Sequence, residues 1–278
     1  MSERKRIGIL GCGWLGRPLA RRLLELGYDV SGSTTSSEKL SALREDGIDA
    51  QVLTLTPGIE AEDPSSFFSA DILFLNIPPD RQVEDPVKAY GTRVQEAVAA
   101  AEEGGCNWII FASATSVYPS EPGDTVEQDA RPHSERARVL LHAEEIVQAS
   151  ACDATVIRYG GLVGGDRHPG RFLAGRTGVP GGDAPVNLIH QEDAVGIAVA
   201  VIEKNARNDV FNAVTNEHPS RAEFYKAAAA DLGVTPPTFD PSADRPNKTV
   251  INTHARRQLG YTFKFPDPRT FHYASESA

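Results

Sequence analysis

The sequence predicts an α/β protein, a doubly wound parallel sheet joined to a smaller C-terminal substrate lobe. Three observations carry this. Short, nearly continuous apolar runs recur up to residue 214, among them IGIL (7–10), DILFLNI (71–77) and NWIIFAS (107–113). Helical patterns separate these runs, and strands alternating with helices read as βαβ crossovers. The runs lack a regular in–out alternation, as expected of parallel strands buried on both faces.

The elements follow in order. IGIL (7–10) is a buried strand, and a helix follows at about 14–26 with Leu15, Leu19, Leu23 and Leu26 on one face and Gly27 at its C-terminal end. YDVSGS (28–33) is a second strand and SSEKLSALREDG (36–47) a second helix. QVLTL (51–55) and DILFLNI (71–77) are the third and fourth strands, 86–103 is a helix, and NWIIFAS (107–113) is the fifth strand. PHSERARVLLHAEE (132–145) opens a helix that runs to about 149, before ATVIRYG (154–160), a helix at 192–204 and VFNAV (210–214). The glycine-rich stretch 161–187 and the proline-bearing stretch 215–278 fit this rhythm poorly. The expected organisation is therefore a cofactor domain at 1–160 and 188–214, and a small lobe at 161–187 and 215–278.

Composition narrows the function. With 278 residues and 40% apolar composition the chain can bury a substantial core without staples. A net charge of −10 disfavours nucleic-acid and anionic-membrane partners. Cys12, Cys106 and Cys152 are dispersed and odd in number, so neither a disulfide framework nor a zinc site follows, and a reducing, cytoplasmic compartment is expected. MSERKRIGIL does not read as a signal peptide, and no apolar run reaches the ~20 residues of a membrane span. No metal-ligand cluster, G-x-S-x-G or serine–histidine–acid signature is evident. The partners expected are a small-molecule substrate and, for the chain itself, a monomer or homodimer.

The sharpest motif is IGILGCGWLGRPLA (7–20), which holds G-x-G-x-x-G as Gly11, Gly13 and Gly16 between a strand and a helix. Gly11 permits the tight turn, Gly13 a close approach of backbone to a diphosphate, and Gly16 close helix–strand packing. The N–H groups at the helix start then face the phosphates, and Trp14 and Leu15 lie along the pyrophosphate or simply staple the turn. This makes the sheet Rossmann-type and implies a dinucleotide. An NAD site places an acid about 20 residues on, at the end of the second strand. Here the sequence is SGSTTSSEK (31–39): Ser33, Thr34 and Thr35 offer hydroxyls, Lys39 a cation, and no acid precedes Glu38. Hydroxyls with a nearby cation accept a 2′-phosphate, so NADP(H) is expected over NAD(H). A polar cap for the second helix is a compatible reading of the same residues.

Eight segments together resemble the extended short-chain dehydrogenase/reductase superfamily of NAD-dependent epimerase/dehydratase type: GILGCGWLG (8–16), FLNIPP (74–79), FASATSVYP (111–119), AEE (143–145), IRYGGLVG (157–164), NLIHQEDA (187–194), VFNAV (210–214) and QLGY (258–261). The resemblance implies that Asn76, Ile77, Pro78 and Pro79 pass under the adenosine and ribose. It implies that the end of the fifth strand supplies Ser113 or Thr115 to a substrate carbonyl. Gly160, Gly161 and Leu162 would flank the nicotinamide, Tyr118 would lie near the site, and Asn187 and His190 would lie where the small lobe meets the cofactor domain. For Tyr118 the other reading is packing under the strand end, and for His190 an interior cap of the helix near Gln191.

The superfamily's catalytic unit, Tyr-x-x-x-Lys, is missing. None of the seven tyrosines has a lysine four residues on. Alignment on AEE puts Arg136 at the tyrosine position and Leu140 at the lysine position, while a shifted register gives Ser134 and Arg138. The usual serine position falls on Ala114, between Ser113 and Thr115. Arginine carries no usable proton at neutral pH, but its fork holds a carboxylate or phosphate. Arg136 thus reads as an anion holder or as part of a solvated helix start. Two functions remain open: an NADP-dependent oxidoreductase, epimerase or dehydratase acting on a small polar or anionic substrate, or a non-catalytic NADP(H)-binding redox sensor or scaffold.

Overall fold

Strand and helix alternate as the hydrophobic runs require in the computed structural model, which describes residues 4–56, 58–80 and 83–271. Tyr273, the last of the tyrosines, lies outside the described residues. In chain order the elements begin β1 (Arg6–Leu10), α1 (Gly16–Glu25), β2 (Asp29–Thr34), α2 (Leu40–Glu45), β3 (Asp49–Thr56), β4 (Gly58–Ala61), α3 (Pro64–Phe68) and β5 (Ile72–Leu75). They continue with α4 (Pro86–Glu103), β6 (Trp108–Ala114), β7 (Gly123–Thr125), α5 (Glu135–Gln148), β8 (Asp153–Tyr159), β9 (Gly161–Val163) and β10 (Leu188–His190). The last are α6 (Gln191–Glu203), β11 (Val210–Ala213), α7 (Arg221–Asp231), β12 (Lys248–Val250) and α8 (Thr253–Leu259).

The main sheet has eight strands in the order β11-β8-β6-β5-β1-β2-β3-β4. The pairings of β1 with β2 and β5, of β2 with β3 and of β5 with β6 are parallel, with Ile9 opposite both Gly32 and Phe74. β4 is an antiparallel edge on β3. The chain runs outward from β1 to β3 and then crosses to β5 on the other side. The strand order therefore reverses between β1 and β5. A crevice opens outside the carboxyl ends of the strands at such a point, which is where open α/β sheets bind ligands.

The chain divides into two compact units. The first comprises Met1–Val117, Arg131–Arg158 and Ala198–Val210. Its centre is dry: Ile7, Ile9, Phe74, Trp108, Ile109 and Ile110 are fully buried. The Trp108 indole donates to Thr155 Oγ1 at 2.9 Å, which satisfies its one polar atom inside the sheet. Helices α4 and α5 pack so closely that a Cβ on Gly91 would lie 2.7 Å from the His142 ring.

The second unit comprises Tyr118–Ala130, Tyr159–Ile197 and Phe211–Ala278. Its core includes Val163, Val186, Leu188, Phe224, Phe265 and Phe271. Two small parallel pairs, β9 with β10 and β7 with β12, lie within it. Asp193, fully buried in the first turn of α6, accepts from the Tyr261 hydroxyl at 2.8 Å and the backbone N–H groups of Lys264 (2.7 Å) and Phe265 (2.9 Å). The segments NLIHQEDA and QLGY are thereby tied to each other.

Two local expectations change. The helix expected at 36–47 is a 3-10 turn at Ser37–Lys39 followed by the short α2. No side chain caps either start, and the polar run SSEK offers no apolar face to extend the helix. The hairpin strand β4 and α3 lie in a stretch, 56–70, that the apolar periodicity left blank. The edge strand β4 has no buried residue and so carries no core signal, while α3 is a single turn started by Asp63 and Pro64.

Candidate functional site

The glycine bend lies at the carboxyl end of β1. Gly11 has φ +103°, a region only glycine enters freely, and a Cβ there would come within 2.5 Å of the Asn76 carbonyl. A Cβ on Gly16 would lie 2.2 Å from the Gly11 carbonyl, so α1 can start this close to the strand only without one. Gly13 differs: a Cβ there meets nothing within 4 Å. Its missing side chain leaves open space beside exposed backbone. α1 begins with no side-chain cap and no acid in its first turn. Arg17 N–H donates to the Gly13 carbonyl at 3.0 Å and Pro18 has no N–H, so what the start of the helix brings to this bend is chiefly the positive end of its dipole. A dinucleotide diphosphate fits this cradle, and the bend, Trp14, Leu15 and the α1 N-terminus are the parts that would hold it.

Neighbouring strands brace the bend. Ser33 is buried, and its Oγ accepts from Gly11 N–H at 3.0 Å while its carbonyl accepts from Cys12 N–H at 2.7 Å. Asn76 Nδ2 donates to the Gly11 carbonyl at 3.0 Å, and the Ile77 carbonyl accepts from the buried Tyr90 hydroxyl at 2.7 Å. Burial pushes the Cys12 thiol up to about 12 and keeps it protonated. Beyond Ser33, Thr34 is buried with its Oγ1 accepting from Ser36 N–H at 3.2 Å, whereas Thr35 and Lys39 are exposed. Pro78 is exposed and Pro79 half-buried on the loop after β5.

At the carboxyl end of β6, Ser113 points inward rather than toward the open edge. Its Oγ donates to Glu144 Oε1 at 2.5 Å, and Arg158 completes the set with Nε to Oε1 at 3.1 Å and Nη2 to Oε2 at 2.6 Å. All three residues are at most 5% exposed. This buried triad pins α5 to β6 and β8. Thr115 is buried in the 3-10 turn Thr115–Val117, with half-buried Ser116 beside it. Arg136 is exposed on the first turn of α5, and its Nε donates to Ser116 Oγ at 3.0 Å. Ser134 is the N-cap of α5, its Oγ accepting from Ala137 N–H at 3.1 Å, and Arg138 is exposed. The structure thus brings Arg136 to the residue after Thr115, and gives Ser113 and Ser134 internal partners.

Glu144, Arg158 and Ser116 were not singled out from the sequence. The signal for the ion pair was present. Arg158 interrupts the apolar strand ATVIRY, and a charge in a buried strand requires a partner. Glu144 lies four residues after Leu140 and three before Val147, on the buried stripe of α5.

In the second unit Tyr118, Asn187, His190 and Lys248 have internal partners. Tyr118 is fully buried, and its hydroxyl donates to Asn212 Oδ1 at 2.6 Å. Asn187 donates to the Lys248 carbonyl at 2.8 Å and accepts from Val250 N–H at 2.7 Å, which fixes β12. His190 is 3% exposed; its Nδ1 accepts from Glu192 N–H at 3.3 Å, capping α6, and its ring packs 4.1 Å from that of Phe265. Gly160 is buried with a Cβ position 2.8 Å from the Asn187 carbonyl, while Gly161 and Leu162 form the start of β9. Lys248 is buried, donates from Nζ to the Tyr118 carbonyl at 3.0 Å, and burial pulls its ammonium below the usual lysine range. Among the described residues no group of three or more histidine, cysteine or acidic side chains could hold a metal, and no helix is long and apolar enough to cross a membrane.

Comparison with known proteins agrees with this geometry. The chain is 35% identical over 269 residues to protein YeeZ of Escherichia coli K12, covering 95% of this chain and 97% of the relative. It is 27% identical over 293 residues to a 3-diazoavenalumate denitrifying reductase of a Streptomyces species, covering 92% and 95%. Its fold matches a short-chain dehydrogenase/reductase superfamily protein of Agrobacterium tumefaciens with bound NAD, at TM-score 0.76, 18% identity and coverage of 94% and 93%. A family model described as NAD(P)H-binding matches residues 11–204, from the first glycine of the bend to the end of α6, and the chain belongs to that NAD(P)H-binding family.

Proposed function

We propose that the chain is an NADP(H)-dependent oxidoreductase, epimerase or dehydratase acting on a small polar or anionic substrate. The open space at Gly13 beside the uncapped start of α1 carries this reading. The bend holds the diphosphate through backbone N–H groups, and Asn76 to Pro79 line the adenosine side. Thr35 and Lys39, exposed just past β2, are placed in sequence to take a 2′-phosphate, and Ser33 and Thr34 hold the turn that presents them. Hydride transfer is the chemistry a bound nicotinamide supplies. Arg136 holds an anionic group of the substrate, or a developing oxyanion, with its guanidinium fixed by Ser116. Thr115 is the hydroxyl nearest Arg136's partner in sequence. Ser113 acts as a positioning residue through Glu144 and α5.

The test is NADPH oxidation screened against aldehydes, keto acids and nucleotide sugars. Arg136→Ala is expected to lower kcat/KM by roughly ten- to a hundredfold, the range of one hydrogen bond to a charged group, about 1.5–3 kcal/mol. Turnover unchanged in that variant removes Arg136 from the site. The absence of Tyr-x-x-x-Lys favours a second reading, a non-catalytic NADP(H) sensor or scaffold. Tight NADPH binding with no turnover in any class, and a partner whose affinity follows the redox state, supports that reading instead.

A further inference from the structure

Dispersed along the sequence, two of the three cysteines meet in the fold. Cys106 stands just ahead of β6 and Cys152 just ahead of β8, and these strands are neighbours in the main sheet. Asp153 N–H donates to the Asn107 carbonyl at 3.0 Å and ties the two strand starts together. The Cys152 thiol donates to the Cys106 carbonyl at 3.0 Å, and the Cys106 thiol donates to the Trp108 carbonyl at 3.3 Å. The two thiols are also hydrogen-bond neighbours of each other. Both cysteines are free and buried. They lie only one residue deep, because Gly105, Asn107 and Ala151 beside them are exposed.

The surroundings hold both as thiols. Burial raises Cys106 and pushes Cys152 up to about 12. Asp71 ahead of β5 acts on Cys106 in the same direction, as do Glu102 at the end of α4 and Asp153 at the start of β8 on Cys152. Arg207, a cation beside Asn107, is committed to Asp153 at 2.7 Å. Cys12 is remote from the pair. It follows the carboxyl end of β1, whereas Cys106 precedes the amino end of β6, and β1, β5 and β6 run parallel. The segment between the paired cysteines carries β6, the turn Thr115–Val117 and the whole of α5. A bond between their sulfurs closes a loop that contains Ser113, Ser116, Arg136 and Glu144.

We propose that Cys106 and Cys152 form an oxidation site, a dithiol that closes to an intramolecular disulfide on reaction with a low-molecular-weight disulfide. The Cys152 sulfur, its proton given to solvent, attacks one sulfur of the small disulfide, which yields a mixed disulfide and one small thiol. The Cys106 sulfur, likewise deprotonated, then attacks the Cys152 sulfur and displaces the second small thiol. Two protein S–H bonds and one small S–S bond are lost, and one protein S–S bond and two small thiols are formed. The protein is oxidised by two electrons and the small disulfide is reduced. A cross-link between Cys106 and Cys152 constrains the unfolded chain and so stabilises the fold. Only the thiolate attacks, and burial makes it scarce, so closure is slow near neutral pH and quickens as pH rises. The site lies wholly within the first unit and does not depend on the glycine bend or on turnover.

The experiment incubates the reduced, folded chain with 2-hydroxyethyl disulfide, blocks the remaining thiols with iodoacetamide in denaturant, and reads the product by intact mass and peptide mapping. Wild type is expected to keep Cys12 alkylatable and to yield a Cys106–Cys152 linked peptide. Cys12→Ala is expected to form the same link, and Cys152→Ala to form none. The rate is expected to rise about tenfold for each pH unit between about 7 and 9, following the thiolate fraction. The linked chain is expected to unfold at a higher temperature, and dithiothreitol to return it to the original one. The wild-type peptide map reads the result even where Cys152→Ala fails to fold. All three cysteines alkylatable after prolonged incubation at about pH 9, a mixed disulfide that persists on Cys152 with Cys106 still free, or a link made through Cys12 overturns the proposal.

Discussion

Glu144 illustrates what a single buried charge does in this chain. Its carboxylate receives the Ser113 hydroxyl and the Arg158 guanidinium inside the first unit. Removing one partner of a buried pair strands the other charge, which costs about 3–5 kcal/mol. Glu144→Gln is therefore expected to lower stability by about that amount in urea unfolding, and Ser113→Ala by less. Lys248 predicts a pH effect of defined sign. Burial lowers its folded-state pKa below the ordinary 10.5. Between those two values the unfolded chain binds more protons than the folded one, so stability rises with pH across that window. Lys248→Met is expected to remove this rise, read from urea midpoints between neutral pH and about pH 10.5. A slope unchanged in the variant contradicts the assignment.

At the scale of elements, α5 carries Arg136, where the sequence departs from the Tyr-x-x-x-Lys pattern of the proteins it resembles. Ser134 caps it, and Ser134→Ala is expected to cost about 1 kcal/mol. That loss, measured by unfolding, is accompanied by weaker turnover if Arg136 depends on the first turn being ordered. The glycine bend and most sheet strands were legible because their signals are local: a motif between a strand and a helix, and dense apolar runs. The triad was less legible because it joins β6, α5 and β8, and no local pattern states which acid meets Arg158. Arg136 was legible as a misfit in its alignment, but its partner Ser116 was not, since that contact depends on how α5 meets the turn after β6. β4 and α3 went unseen because an exposed edge strand and a single helical turn bury little.

For the whole molecule, the reversal of strand order between β1 and β5 places the bend at the crevice of the sheet. The second unit is held by its own contacts, Asp193 to Tyr261 and the Phe265 segment foremost. A ligand that binds only the folded chain stabilises it by mass action, about 2.7 kcal/mol at a concentration a hundredfold above Kd. The unfolding temperature is thus expected to rise with NADPH, and to rise less with NADH at equal concentration. The most direct measurement is calorimetric titration of NADPH into wild-type chain and Gly13→Ala, whose added methyl meets no protein atom within 4 Å but occupies the cradle. Saturable heat in wild type, with affinity at least tenfold weaker in a variant of unchanged unfolding temperature, is the predicted result. No heat with wild type from NADPH, NADH or either oxidised form, or equal affinity in Gly13→Ala, contradicts the account.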